Sequence, residues 1–260
     1  MTTNTPRRTR RSQSWEGVAD WYAGWAGPKG SRYHRTLAVP LLLDLLQPGA
    51  GEALIDLGCG PGVLAPPVAA TGMAYTGLDL SPSLISIARR HNGRAGRFVV
   101  GDATRAAAVP GLRQGTFDAA SFLLSIQDID PLTEALASAA RLVHGSGRVV
   151  IVMLHPCFRV PRQSGWGWDE GRKLRYRRVD SYLSDLEVPM QPHHSGKGVT
   201  RSYHRPLGAY IAALSSHGFA VTALREVRDI EKSGAPPAER RAAGEIPMLL
   251  GLRADRLRSG

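Results

Sequence analysis

Apolar and polar positions along this chain change period in blocks. Leu54-Ile55-Asp56-Leu57 is a short apolar run that stops at a glycine cluster, the pattern of a buried strand feeding a tight turn. Similar runs predict strands at Ala74–Asp79, Gly96–Val100, Phe117–Phe122 and Arg148–Leu154. Helical spacing is expected from about Pro82 to His91 and from about Pro131 to Val143. Strands alternating with helices of this length predict an α/β fold with a parallel, doubly wound sheet. Leu207–Leu214 reads as a helix stopped by His217-Gly218, and Phe219–Val227 and Ile246–Arg253 as a last pair of strands. Upstream, Ser14 has the position of an N-cap, and Trp15, Val18, Ala19, Tyr22 and Trp25 follow at helical spacing, so helices are expected over 14–46. Residues 1–13 are polar and arginine-rich and predict a tail, which leaves 14–260 as one domain. The stretch 155–206 has no clear periodicity. At about fifty residues it is too long for a passive connection, and a cap insertion is expected there.

Composition narrows this picture only slightly. The chain has 260 residues, 43% hydrophobic and 21% charged, enough to bury a core without disulfides or metal. Two cysteines, Cys59 and Cys157, are too few for a disulfide framework and imply a reducing, cytoplasmic setting. The first residues lack the apolar core of a secretory signal, and the run Leu41–Leu46 is too short to cross a membrane, so a soluble protein is expected. A net charge of +11 invites a nucleic-acid partner, but the arginines are scattered and several lie in the tail, so nucleic acid is disfavoured. His193 and His194 are adjacent without an accompanying cysteine or carboxylate set, so no metal is expected.

The most specific signal is Asp56-Leu57-Gly58-Cys59-Gly60-Pro61-Gly62, which joins a strand to a helix where open α/β sheets bind ligands. The last glycine of a dinucleotide fingerprint is replaced by Val63. Asp79 ends the second strand, where a carboxylate can accept from both hydroxyls of a ribose. Asp102 ends the third, where its side chain can accept from an adenine amino group while the Ala103 N–H meets a ring nitrogen. With LIDLGCGPG, YTGLDLS, VVGDA, FDAASFLLSIQDID and VHGSGRVVIVML in order, the chain resembles the class I S-adenosylmethionine-dependent methyltransferases over roughly residues 14 to 254. The resemblance implies a Rossmann-like seven-stranded sheet of order 3-2-1-4-5-7-6 with strand 7 antiparallel, and S-adenosylmethionine as cofactor. It also implies roles: Gly58, Cys59 and Gly60 around the methionine part, Asp56 beside them, Asp79 on the ribose and Leu80 on the adenine. Asp102 and Ala103 would read the adenine edge, and Leu124 would lie alongside. Pro66-Pro67 departs from the pattern, because proline fits a helix only in its first turn; the helix after the loop must start late or be distorted early.

Methyl transfer from a sulfonium mainly needs approach and alignment, and a base matters only when the acceptor must lose a proton. Tyr22 is a candidate for the cofactor, for orienting the acceptor, or for core packing; Tyr33, His34 and Arg35 are a second polar group, with Arg35 able to pair with a carboxylate. His155, directly after the fifth strand, is a candidate base. Gln127 and Asp128, after the fourth strand, are candidates for acceptor contacts. Trp25, Trp166 and Trp168 are candidate aromatic walls for a flat hydrophobic acceptor, or the cap's own small core. Cys157 could serve an RNA methyltransferase, a weaker reading without RNA-binding extensions, and a non-catalytic cofactor-binding module is the other alternative. The segment His155-Pro156-Cys157-Phe158 with an aromatic cap resembles enzymes of bacterial secondary metabolism. That implies a small aromatic acceptor, methylated on an indole-like carbon first and on a phenol, enol or quinone-type oxygen, or a nitrogen, second.

Overall fold

The computed structural model describes residues 15–190, 199–229 and 234–257. Side-chain alternation explains the sheet. In β1 (Ala53–Leu57), Leu54 packs into the apolar layer on one face, and Ile55 and Leu57 into the layer on the other. In β5 (Val143–Leu154) the same alternation sends Val150 and Val152 one way and Val149, Ile151 and Met153 the other. Both faces are covered, which is why these strands read as near-continuous apolar runs.

The remaining central strands are β2 (Ala74–Asp79), β3 (Arg97–Val100) and β4 (Phe117–Leu123). Beyond the cap come β10 (Phe219–Arg228) and β11 (Pro247–Arg256), and the seven strands run 3-2-1-4-5-11-10. β11 is antiparallel to both β5 and β10, while the other neighbours are parallel. With the cap strands left out of the count, this is the Rossmann-like order 3-2-1-4-5-7-6. One face carries α2 (Val39–Leu46), α3 (Ala65–Ala69) and α4 (Pro82–Asn92); the other carries α5 (Leu132–Leu142) and α6 (Leu207–Ser215). The N-terminal α1 (Ala19–Ala26) lies over α4, and among the described residues no helix is long and apolar enough to cross a membrane.

Four local features differ from expectation or refine it. α3 is only five residues long and takes Pro66 and Pro67 in its first turn, where a missing N–H costs little. β5 begins at Val143 rather than Arg148, because strand and preceding helix abut; a Cβ on Gly147 would stand 2.5 Å from the Asp118 carbonyl, so only glycine fits that approach. α7 (Pro237–Glu245) has no counterpart among the expected helices; its run of arginine, alanine and glutamate has little apolar periodicity. The cap holds two hairpins, β6 (Ser164–Asp169) with β7 (Leu174–Val179), and β8 (Leu186–Pro189) with β9 (Arg201–His204).

Candidate active site

The C-terminal ends of β1, β2 and β4, the N-terminal helix and the β8–β9 hairpin enclose a cavity of about 770 Å³. At one end stands the loop after β1. The Gly58 and Cys59 N–H groups both donate to the Leu78 carbonyl, at 2.8 and 3.0 Å, and the Gly60 N–H donates to Asp79 Oδ2 at 2.9 Å. Asp79 Oδ1 accepts from the Ser81 N–H at 2.9 Å, so one carboxylate ties the loop to the start of α4; burial pushes its pKa up against those two donors. Gly58 has φ +79°, and a Cβ there would lie 2.6 Å from Ser125 Cβ. Gly60 has φ +53° and faces Tyr22, whose ring is 3.5 Å from where a Cβ would be. Asp102 accepts from the Thr104 N–H and hydroxyl, which shapes the turn after β3 beside Ala103.

Asp56 has a different role from the loop glycines. Its carboxylate accepts from the Tyr75 hydroxyl at 2.7 Å and from the Ser121 hydroxyl at 2.8 Å, bracing β1 against β2 and β4. Burial pushes it up to about 6 despite both donors. It supports the floor of the site from behind.

The other end of the cavity is aromatic and apolar. Trp15, Tyr22, Trp25 and Trp21 form a connected cluster, with Trp15–Tyr22 centroids 5.0 Å apart and Tyr22–Trp25 5.9 Å. Burial, and then the charges of Asp128 and Asp79, push the Tyr22 phenol far up, so it stays protonated and acts as a donor rather than a base. Tyr33, Met190, Tyr203 and Met248 complete the wall. His34 also lines it. Its Nδ1 accepts from the Ser31 N–H at 3.2 Å, which assigns the ring proton to Nε2, and burial followed by the Arg35 charge pushes the ring down to about 4.

Leu124 is the pivot between the two ends. Its φ of +54° is unusual for a branched residue, and its N–H and carbonyl are both held at 2.7 Å, by the Val152 carbonyl and by Gln127 Nε2. That turn carries Gln127 and Asp128 into the cavity. Asp128 accepts from the side chains of Trp15 and Ser202, and burial pushes its carboxyl up to about 8 against both donors. Two further buried atoms in this wall, Gln127 Oε1 and Thr200 Oγ1, have no hydrogen-bond partner in the protein.

The structure thus brings together Tyr22, Trp25, Tyr33, Gly58, Cys59, Gly60, Asp79, Leu80, Asp102, Ala103, Leu124, Gln127 and Asp128 around one cavity. It separates others. Arg35 donates to the Gly30 carbonyl within its own turn and does not line the cavity. His155 also lies outside it: Nε2 meets Glu226 at 2.7 Å and Nδ1 accepts from the Cys157 N–H at 3.2 Å, which removes it as the base. Trp166 and Trp168 are on the β6–β7 hairpin, away from the acceptor end, and Trp166 packs among the guanidinium groups of Arg159, Arg175 and Arg177. The Cys157 thiol faces the Tyr182 hydroxyl at 3.5 Å. Sequence reasoning named His34 only within a polar group, with no role of its own, and missed Thr200, Ser202 and Tyr203; these three sit in the stretch without periodicity, where no spacing marks a face. Ser14 and the His193-His194 pair lie outside the described residues, and among the described residues no group of three or more His, Cys, Asp or Glu is placed to hold a metal ion.

Comparison with known proteins agrees with this geometry. A family model described as "Methyltransferase domain" matches residues 55–151. A ubiquinone biosynthesis O-methyltransferase of Aromatoleum aromaticum is 30% identical over 147 residues, 55% of this chain and 63% of the relative. One from Thiobacillus denitrificans is 30% identical over 113 residues, 44% of this chain and 49% of the relative. The chain therefore spans between about half and just under two thirds of the length of these curated relatives. The crystal structure of an S-adenosylmethionine-dependent methyltransferase from Mesorhizobium loti superposes with a TM-score of 0.70 at 25% identity, covering 88% of this chain and 100% of that one.

Proposed function

We propose that this chain, a class I S-adenosylmethionine-dependent methyltransferase, uses its cavity to hold that cofactor beside a small, mostly apolar acceptor. The observation that carries the reading is the division of one cavity into a glycine-and-carboxylate end and an aromatic end. The donor set suits the cofactor. Asp79 stands where a ribose diol would be accepted, Asp102 and the Ala103 N–H where an adenine edge would be read, and Gly60 leaves space beneath Tyr22. When bound, S-adenosylmethionine supplies an electrophilic methyl group on a sulfonium. The chain's own contribution is alignment: Leu124 turns the acceptor-side residues inward, Tyr22 covers the loop as a donor, and the aromatic cluster keeps water out.

An aromatic acceptor of secondary metabolism, and a cytoplasmic location, remain part of this proposal. The wall of Trp15, Trp21, Tyr22 and Trp25 supports a flat acceptor. Which atom receives the methyl group is argued below. Calorimetry with S-adenosylmethionine tests the reading directly: binding is expected, with about tenfold or greater weakening in Asp79→Ala. No binding, or binding indifferent to Asp79→Ala, overturns it.

A further inference from the structure

In a chain of net charge +11, no lysine or arginine lines the cavity among the described residues, whereas five aspartates do. His34 adds no positive charge, since its ring is neutral at physiological pH. Asp56, Asp79 and Asp102 belong to the loop and cofactor end, and Asp130 is paired with Arg205 at 2.7 Å. That leaves Asp128 as the carboxylate of the acceptor end, held in place by Ser202 from β9 and Trp15 from the N-terminal segment. Around it are four aromatic rings and two acceptor-capable oxygens, Gln127 Oε1 and Thr200 Oγ1, without protein partners.

We propose that the methyl acceptor is an amine on an apolar, aromatic-sized body, held as its ammonium by Asp128 and the Trp15–Tyr22–Trp25 cluster, and that Asp128 takes its proton. The inference rests on the functional reading above and adds the substrate class. Three physical arguments carry it. An anionic acceptor would enter a low-dielectric cavity with no basic side chain among the described residues to meet it, only the sulfonium of the cofactor. A phenol would have to become an oxyanion in the same apolar wall, where burial raises its pKa as it does that of Tyr22. An ammonium is attracted by the faces of the rings and by the ionised form of Asp128, which its own charge favours, and its several N–H donors can satisfy the oxygens of Gln127 and Thr200.

The proton step balances without another reactant. An N–H bond of the ammonium breaks, the proton joins the Asp128 carboxylate, and the electron pair stays on nitrogen as the nucleophilic lone pair. In the free protein burial keeps Asp128 protonated up to about 8, so the carboxylate that takes the proton is the form present above that pH or drawn out by the ammonium's own charge. Its proton affinity then lies within roughly two pH units of an ordinary amine, against about six for an exposed aspartate. The groups facing it from neighbouring elements are Tyr22 of α1 and Tyr210 of α6, both phenols pushed up by burial and so neutral, and the Asp130–Arg205 pair.

Three ligands on one scaffold separate the possibilities: tryptamine, tryptophol and indole-3-propionate, titrated calorimetrically into the full chain with and without S-adenosylhomocysteine. Tryptamine is expected to bind about tenfold or more tightly than tryptophol, with indole-3-propionate weakest. Asp128→Asn should remove that preference and leave the affinity for S-adenosylhomocysteine unchanged. Thr200→Val deletes a buried hydroxyl that lacks a protein partner, so it should keep or raise the melting temperature while weakening tryptamine several-fold. Equal binding of tryptamine and tryptophol, binding of none of the three, or a preference that survives Asp128→Asn overturns the amine. Failure of S-adenosylhomocysteine to bind instead overturns the functional reading, since the amine preference is read separately in the free protein.

Discussion

Asp128 and His34 line the same cavity, yet burial moves them in opposite directions along the pH scale. Asp128 holds its proton up to about 8 in the folded chain, against about 4 for an unfolded aspartate. Its contribution to stability is therefore fully present at low pH and is lost as pH rises from about 4 through 8. His34 stays neutral down to about 4 when folded, against roughly 6.5 unfolded, so its contribution is present at neutral pH and is lost as pH falls through that window. Urea unfolding of the wild type and Asp128→Asn from pH 5 to 8 separates the two. The wild type should lose about 1 kcal/mol or more relative to the variant as pH rises. Parallel profiles would show that Asp128 titrates normally. Gly58 makes the second residue-scale case. Gly58→Ala puts a side chain at φ +79° and 2.6 Å from Ser125, and should cost about 2 kcal/mol of stability together with most cofactor affinity. A Gly58→Ala variant that melts and binds like wild type would mean the loop relaxes freely.

At the scale of elements, the N-terminal segment closes the cavity through one acidic side chain. Glu16 accepts from the Ser81 hydroxyl, from the Ser83 N–H at 3.2 Å and from the Ser83 hydroxyl at 2.6 Å, at the start of α4. Ser81 also caps α4 itself, accepting from the Leu84 N–H at 3.1 Å. Burial works against the charge on Glu16, but the serine donors outweigh it and hold the carboxyl below its usual range. That support is present at neutral pH and is lost as pH falls through the lowered value. Glu16→Ala should therefore speed S-adenosylhomocysteine release several-fold in stopped-flow dissociation, with little change in far-UV signal. Unchanged release would mean that the aromatic cluster alone holds the segment down. The glycine loop, the strand ends and Asp79 were legible in the sequence because they obey short, strict rules: near-continuous apolar runs for strands covered on both faces, then glycines where only glycine fits. The cap was not legible. Trp166 and Trp168 attract attention by residue type, but their strand pairs with arginines and buries one ring among guanidinium groups. Thr200 and Ser202 have ordinary side chains and matter only because the β8–β9 register turns them inward. His155 misled for a related reason: its position after β5 suits a base, but Glu226 from β10, seventy-one residues later, takes its Nε2.

Across the whole molecule, the cap therefore divides its labour between its two hairpins, a division that removing one hairpin tests. The β8–β9 hairpin supplies Thr200, Ser202 and Tyr203 to the acceptor end, while β6–β7 lines none of it. β6–β7 instead docks on α7, where Arg175 pairs with Glu239, and shields Arg159 on its way to Asp229. Its two ends meet: the Asp180 N–H donates to the Gln163 carbonyl at 2.8 Å, so residues 164–179 can be replaced by two glycines without spanning any distance. The shortened chain should melt at a lower temperature, because Arg159 loses its ring contact with Trp166 and Glu239 its partner. It should nevertheless keep the cofactor affinity and the amine preference of the full chain, since every group assigned to either lies outside the deleted segment. Loss of ligand binding in a shortened chain that still unfolds cooperatively would place part of the acceptor site on β6–β7 after all, and return Trp166 and Trp168 to the wall that their residue type first suggested.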